Sequence, residues 1–173
     1  MLDRLRRGQP EARAELFRRY APTVRRILFL QGYCEELDDA VQDVFIKVYR
    51  AQLPTAETFL AWFYKLILNA GRDAGRRRKT RMSLGERLEA AAPTLPAAAE
   101  APQAADPALR AALADLAPEL REVVALRFFA DLPLEQIAAS QDVPLGTVKS
   151  RLHTAMGRLR ESLTQRGIRG SFE

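Results

Sequence analysis

The sequence predicts an all-α protein, built from two small helical domains that a flexible linker joins. Apolar residues recur at steps of three and four in both halves of the chain, and no stretch has the two-residue alternation of a strand. Between the halves, residues 82–107 lose this periodicity and are rich in alanine and proline, which is typical of a linker. We therefore expect domains at residues 1–81 and 108–173, the second with four helices.

The composition limits the class of protein. The chain has 173 residues, of which 47% are hydrophobic, and this suits small soluble domains. No apolar run approaches the roughly 20 residues of a membrane span. The N-terminus lacks the apolar segment of a secretory signal, so we expect a cytoplasmic protein. The single cysteine, Cys34, and the single histidine, His153, do not suffice for a disulfide or a zinc site, and we expect no cofactor.

The charge is concentrated in two parts of the chain. The net charge is +5 and the isoelectric point is near 9.8, which favours a polyanionic partner. Residues 1–81 carry a net charge of +7, and residues 146–169 hold six basic side chains against one acidic side chain. Because each half has its own basic segment, the distribution favours nucleic-acid contacts in both halves.

The first helical segment contains a proline. Residues 11–31 are apolar at helical spacing, with Pro22 in their middle. Since proline lacks the backbone N–H group and clashes with the preceding turn, we expect two short helices that meet at Pro22. Solvation and a weak nucleic-acid contact explain the basic outer side of this segment equally well.

An acidic cluster opens the next predicted helix, which runs from about Glu35 to Arg50. Asp39 and Asp43 lie four residues apart on one face with Gln42 beside them. Two carboxylates at this spacing repel each other, so a basic partner surface would relieve them. A divalent-metal site is the competing interpretation, but no further ligand cluster accompanies the carboxylates.

A long helix is predicted from about Thr55, with four apolar residues facing inward: Leu60, Phe63, Ile67 and Leu68. Its other side carries an aromatic ring, an amide and several cations at three- and four-residue steps. These residues are Trp62, Lys65, Asn69, Arg72 and Arg76. Such groups can stack on unpaired bases, read their edges and hold phosphates. Core packing of the tryptophan with a solvated helix end explains the pattern equally well.

The most specific signal is a helix-turn-helix from Leu134 to Arg160. Pro118 separates two helices before it, whose apolar positions include Leu113, Leu120, Val124 and Phe128. In its second helix an inward stripe is formed by Val148, Leu152, Ala155 and Leu159, and Pro144 with Gly146 marks the start. The opposite face offers hydrogen-bond donors to a DNA groove or phosphates. A solvated helix hairpin is the alternative.

Two such domains in this order resemble the extracytoplasmic-function group of the sigma-70 family of bacterial RNA polymerase sigma factors. The resemblance to the family's second conserved region lies in FRRYAPTVRRILFLQGYCEELDDAVQDVFIKVYR and AWFYKLILNAGRDAGRRR. The resemblance to its fourth region lies in LREVVALRFFADLPLEQIAASQDVPLGTVKSRLHTAMGRLR, chiefly in GTVKSRL. The resemblance covers nearly the whole chain. It implies a non-catalytic subunit that binds core RNA polymerase, recognises the minus-thirty-five and minus-ten promoter elements, promotes strand opening and is held by an anti-sigma factor.

The resemblance also implies three groups of site residues. The polymerase would be contacted by Asp39, Gln42, Asp43 and Phe45. The minus-ten element would be recognised and opened by Asn69, Asp73, Arg76 and Arg77, with Trp62 and Tyr64 near the melted strand. The minus-thirty-five element would be contacted by Thr147, Lys149, Ser150, Arg151, His153 and Thr154.

Two positions depart from the family pattern. Thr154 stands where arginine is common, so a bidentate contact worth about 1–3 kcal/mol of base discrimination is missing. Pro133 stands where a capping serine or threonine is usual. A stand-alone DNA-binding regulator and a metal-dependent nucleic-acid enzyme remain as alternative functions. The first leaves Asp39 and Asp43 unexplained, and under the second these carboxylates would be essential for turnover.

Overall fold

The computed structural model describes residues 1–31, 37–84 and 107–168, with side chains as far as residue 73 in the second range. Every regular element in these ranges is helical, which confirms the predicted all-α class. The α-helices are α1 (Leu2–Arg6), α2 (Pro10–Leu30), α3 (Leu37–Arg50), α4 (Ala56–Leu84), α5 (Pro107–Ala114), α6 (Pro118–Val124), α7 (Leu134–Gln141) and α8 (Leu145–Gln165). Most of the predicted linker, residues 85–106, lies outside the described residues, as do Glu35 and Glu36 of the acidic cluster.

The predicted break at Pro22 is wrong, because α2 is a single helix with this proline inside it. An internal proline removes one backbone hydrogen bond and costs about 3 kcal/mol. Pro22 itself is exposed, whereas Leu16 and Val24 on either side of it are fully buried. Their packing into one core favours a continuous helix over two short ones.

The N-terminal helices enclose an aromatic core. Phe45 of α3 packs against Phe63 of α4, with ring centroids 6.1 Å apart, and Phe63 stacks on Phe59 at 5.7 Å. The predicted inward residues Phe63, Ile67 and Leu68 are buried, which confirms the orientation of α4, while Leu60 is only half-buried.

The C-terminal helices begin as predicted but contain a segment that the sequence did not reveal. Pro118 is the first residue of α6, so the expected break there is confirmed. After α6 the chain continues as a π-helix from Ala125 to Phe129. Such a wider turn changes the angular register of the residues that follow. Phe128, which the apolar pattern included, is 57% exposed.

The two halves of the chain pack against each other. Helix α4 lies against α7, and α2 lies against the π-helix, so buried residues of both halves form one hydrophobic cluster. The sequence pattern did not predict this contact. Within the described ranges, no helix is long and apolar enough to span a membrane.

Candidate DNA and polymerase interface

The turn between α7 and α8 depends on a left-handed residue. Asp142 ends α7 with φ 54° and ψ 44°, a conformation that aspartate tolerates better than most side chains. The next N–H group, of Val143, donates to the carbonyl of Ala138 at 3.1 Å. Pro144 then precedes the first residue of α8, where its fixed φ suits a helix start. The predicted helix-turn-helix is thus present, although Asp142 makes the turn.

The outer face of α8 is formed by Lys149, Ser150, His153 and Thr154, all exposed. On the opposite side three residues of the predicted apolar stripe are buried, Val148 and Ala155 fully and Leu159 with 5% exposed, while Leu152 is only half-buried. The first turn of α8 has no acidic residue and no side-chain cap. Its amide dipoles therefore favour an anion at this end of the helix.

The remaining two predicted residues of α8 are less exposed. Thr147 and Arg151 are half-buried. Arg151 donates from Nη1 to Oε1 of Gln141 on α7, at 3.3 Å, and Ser150 donates to the carbonyl of Thr147 at 3.0 Å. Arg151 is thus oriented by a neighbour inside the helix-turn-helix.

The acidic face of α3 consists of Asp39, Gln42 and Asp43, which are exposed together. Their neighbour Asp38 is paired with Arg25 of α2. Asp39 and Asp43 have no ion-pair partner in the part of the chain that the structure describes. Ile46, one turn further along this face, is 41% exposed. Sequence reasoning missed Ile46, although its spacing of three residues from Asp43 could have placed it beside the carboxylates.

The α4 face, defined by Trp62, Lys65, Asn69 and Arg72, is partly exposed, but both of its cations are paired. Lys65 Nζ is 2.5 Å from Oδ2 of Asp142. Arg72 donates from Nε to Oε1 of Glu122, at 3.0 Å, and from Nη2 to Oε2, at 2.6 Å. Both cations of this face are therefore bound by carboxylates of the C-terminal helices.

Glu122 is the buried centre of these polar contacts. It is 5% exposed and accepts a further hydrogen bond from Nε2 of Gln141, at 3.2 Å. Its hydrogen bonds to Arg72 raise the pKa of that guanidinium above the ordinary value, which outweighs the opposing effect of burial. Arg121 beside it donates to three carbonyl groups, those of Leu30, Ala114 and Leu116. Burial lowers the pKa of Arg121, and this is the largest influence on it.

Two predicted contact residues are part of the core. Phe45 is 1% exposed and Tyr64 is 2% exposed. Burial raises the pKa of Tyr64 well above its ordinary value. Neither side chain is presented to a partner in this structure, and we assign both to packing. Asn69 and Asp73 are exposed, whereas the side chains of Arg76 and Arg77 lie outside the described residues.

The described side chains supply no metal-binding group. No three histidine, cysteine, aspartate or glutamate residues in the described ranges are placed so that they could hold an ion. The structure is thus that of a helical protein with a helix-turn-helix and, on α3, a separate exposed acidic face.

Comparisons with known proteins agree with this class. A family model described as Sigma-70 region 2 matches residues 16–81, and one described as Sigma-70, region 4 matches residues 112–161. The extracytoplasmic-function sigma factor SigE of Mycolicibacterium smegmatis is 35% identical over 87% of this chain, which spans 61% of that relative. The extracytoplasmic-function sigma factor RpoE of Cereibacter sphaeroides is 31% identical, with 87% of this chain and 86% of the relative covered.

A solved structure supports the fold. The sigma factor RpoE of Bartonella quintana, in complex with the anti-sigma factor NepR, matches with a TM-score of 0.66 at 24% identity, over 87% of this chain and 96% of that one. The chain belongs to the extracytoplasmic-function group of the sigma-70 family of RNA polymerase sigma factors. Its function is therefore promoter recognition and transcription initiation with core RNA polymerase, as a subunit that catalyses no reaction itself.

Proposed function

We propose that the outer face of α8 reads the minus-thirty-five promoter element. The observation that supports this most directly is the division of α8, whose exposed polar face is backed by the fully buried Val148 and Ala155. Lys149 supplies a cation for phosphates, and His153 and Thr154 supply groups for base edges. Arg151 and Thr147 flank these contacts. Because Thr154 offers no guanidinium, its contribution to base discrimination is small.

The α4 face is the proposed surface for the minus-ten element and the separated strand. Trp62 supplies an aromatic ring, Asn69 an amide, and Lys65 and Arg72 two cations, an arrangement suited to single-stranded nucleic acid. Arg76 and Arg77 extend the same helix with further positive charge. Asp73 belongs to this surface by its position in the family motif.

The acidic face of α3 is the proposed docking surface for core polymerase. Its two carboxylates, of Asp39 and Asp43, are exposed beside the apolar side chain of Ile46. A basic partner surface with an apolar patch would complement both features. Phe45 supports this face from beneath as a packing residue. We extend the proposal to a cytoplasmic location, where RNA polymerase works, and to an anti-sigma factor as a regulatory partner.

Reconstituted transcription tests this function. The purified chain is added to core polymerase on fragmented DNA of its own genome, and initiation sites are mapped. We expect a limited set of start sites that depend on the added chain, preceded by two shared sequence elements. Absence of both core binding and chain-dependent initiation would overturn the proposal. Tight, sequence-specific duplex binding by the chain alone would instead favour a stand-alone regulator.

A further inference from the structure

Gln141 is one of three polar or charged residues that are buried in the described ranges, and it is 9% exposed. It is the last residue of α7 and directly precedes Asp142, whose left-handed backbone makes the turn into α8. Its amide group has a partner at each end. Nε2 donates to Oε2 of Glu122, at 3.2 Å, and Oε1 accepts a hydrogen bond from Nη1 of Arg151, at 3.3 Å. One buried side chain thus connects α6 to α8.

The two partners of Gln141 determine how its amide group is turned. An ionised carboxylate only accepts hydrogen bonds, and a guanidinium group only donates them. The amide therefore directs its NH₂ group to Glu122 and its oxygen to Arg151, and turning it over would lose both contacts. An apolar side chain would serve neither partner, and a second carboxylate could not donate to Glu122. The site thus requires a side chain with a donor and an acceptor.

Gln141 orients Arg151 without neutralising it. The carboxylate of Glu122 already accepts two hydrogen bonds from the guanidinium group of Arg72. The amide that separates this carboxylate from Arg151 is uncharged, so the positive charge of Arg151 remains available to an anion. The hydrogen bond to Gln141 uses one N–H group of Arg151, and the remaining donors of the guanidinium group can bind a phosphate or a base edge.

Arg151 lies where a fixed orientation is useful. It is half-buried and stands at the boundary between the outer face of α8 and the inward stripe, next to the exposed Ser150. A long side chain that is free in solution loses conformational entropy when DNA immobilises it, which weakens binding. A side chain that is already held in the binding orientation avoids most of this loss.

We propose that Gln141 is a positioning residue for promoter recognition, which holds the guanidinium group of Arg151 in the orientation that meets the minus-thirty-five element. This inference rests on the function proposed above, in which Arg151 flanks the contacts of α8. Gln141 is buried and acts on DNA only through Arg151. Glu122 fixes the other end of its amide group.

The chain offers a matched control on the same helix. Gln141→Met keeps the approximate length of the side chain and removes both hydrogen bonds, whereas Gln141→Asn keeps the amide group but is too short to reach both partners. Ser140 is 1% exposed, and its hydroxyl group donates to the carbonyl of Ile137 within α7, at 2.8 Å. Ser140→Ala therefore removes a buried hydrogen bond of α7 and leaves Arg151 with its partner.

The first measurement uses the full chain without DNA or polymerase. Nuclear magnetic relaxation gives the order parameter of the Nε–H group of Arg151, which reports motion on the picosecond-to-nanosecond timescale. We expect this order parameter to fall in Gln141→Met and Gln141→Asn and to stay unchanged in Ser140→Ala. An equal order parameter in all of these proteins would overturn the proposal.

The second measurement is the affinity of the complex with core polymerase for the promoter of a mapped start site. Gln141→Met should weaken binding about three- to tenfold, the cost of immobilising one arginine side chain that is no longer held. In the double variant, Gln141→Met should add nothing to the loss that Arg151→Ala causes, because it acts through that side chain alone. A purely structural role of Gln141 would instead give additive losses.

Additive losses in the double variant, or a loss in Ser140→Ala as large as that in Gln141→Met, would overturn the proposal. If Gln141→Met does not fold, as judged by its helical circular dichroism, Gln141→Asn replaces it in both measurements. Unchanged promoter affinity in Arg151→Ala would remove this arginine from the proposed function, and the inference would fail with it. Absence of initiation by the unsubstituted chain would contradict the proposed function as a whole, whereas the relaxation measurement tests the orientation of Arg151 independently of DNA.

Discussion

Arg72 and Glu122 lie 50 residues apart in the sequence, and two hydrogen bonds, of 3.0 and 2.6 Å, join their side chains. The glutamate is 5% exposed, whereas the arginine side chain is 46% exposed. The stability of the contact therefore depends chiefly on the carboxylate, which has lost most of its water. Removing the arginine leaves that carboxylate with Gln141 as its remaining partner among the described side chains.

Arg72→Ala should lower the free energy of unfolding by about 1–2 kcal/mol, because a buried carboxylate loses two charge-assisted hydrogen bonds. This value is below that of a fully buried pair because the arginine is half exposed. Lys65→Ala should cost less than about 1 kcal/mol, since both members of its pair are exposed. Equilibrium urea unfolding of the full chain measures both values. Equal losses in the two variants would contradict the role assigned to burial.

Lys149→Ala and His153→Ala should affect DNA binding in different ways. The lysine is proposed to neutralise a phosphate, so its removal should weaken binding to all sequences and reduce the slope of log affinity against log salt by about one. The histidine is proposed to face base edges, so its removal should mainly reduce the preference for the cognate minus-thirty-five element. Salt titrations of the polymerase complex with cognate and scrambled promoters distinguish the two effects. The same loss on both promoters in both variants would argue against this division.

Asp39→Asn and Asp43→Asn together should weaken core polymerase binding about tenfold, because the two carboxylates would no longer attract the proposed basic partner surface. The weakening should diminish as salt is raised, since salt screens the attraction. Asp38→Asn is the matched control, as this neighbouring aspartate is already paired with Arg25. Competition for labelled core polymerase measures the affinity. An effect of Asp38→Asn as large as that of the double variant would contradict the assignment of the face.

Gly157→Ala should stabilise the chain, whereas Gly71→Ala should not. A Cβ atom at Gly71 would overlap the end of the Gln31 side chain, whose buried amide has no hydrogen-bond partner among the described residues. At Gly157 a Cβ atom would meet open space, so alanine should add about 0.5–1 kcal/mol through its helix propensity. At Gly71 the overlap should cancel or reverse this gain. Thermal unfolding compares the variants, and adding Gln31→Ala should restore the gain in the Gly71→Ala background.

Tyr64→Phe should flatten the loss of stability at alkaline pH. Burial raises the pKa of Tyr64 in the folded chain, whereas the unfolded chain titrates near 10.0. The stabilisation that comes from the protonated phenol is complete below pH 10 and is lost as the pH rises above it, by up to about 1 kcal/mol between pH 10 and 11. Unfolding measured across this range should have a steeper slope in the unsubstituted chain. Identical slopes would contradict the core position of Tyr64.

The periodic segments were predictable because burial of one helix face repeats along the sequence. The inward stripe of α8 and the exposed residues opposite it follow from spacing alone, and the structure confirms both. The break predicted at Pro22 was wrong because the sequence shows the proline, and so the lost backbone hydrogen bond, but not the core packing of Leu16 and Val24 on either side of it. The π-helix from Ala125 to Phe129 could not be predicted because no residue type marks a wider turn.

The sequence by itself determined the helical class, the helix-turn-helix, the acidic face of α3 and the family of the chain, because each of these follows from residue types and their local spacing. Only the tertiary structure decided which predicted contact residues are exposed, that Phe45 and Tyr64 are buried, and that the cations of the α4 face are paired with carboxylates from the other half of the chain. These features depend on pairs such as Lys65 with Asp142 and Arg72 with Glu122. Such pairs are 50 or more residues apart, so they arise from the packing of the two halves and not from any local pattern.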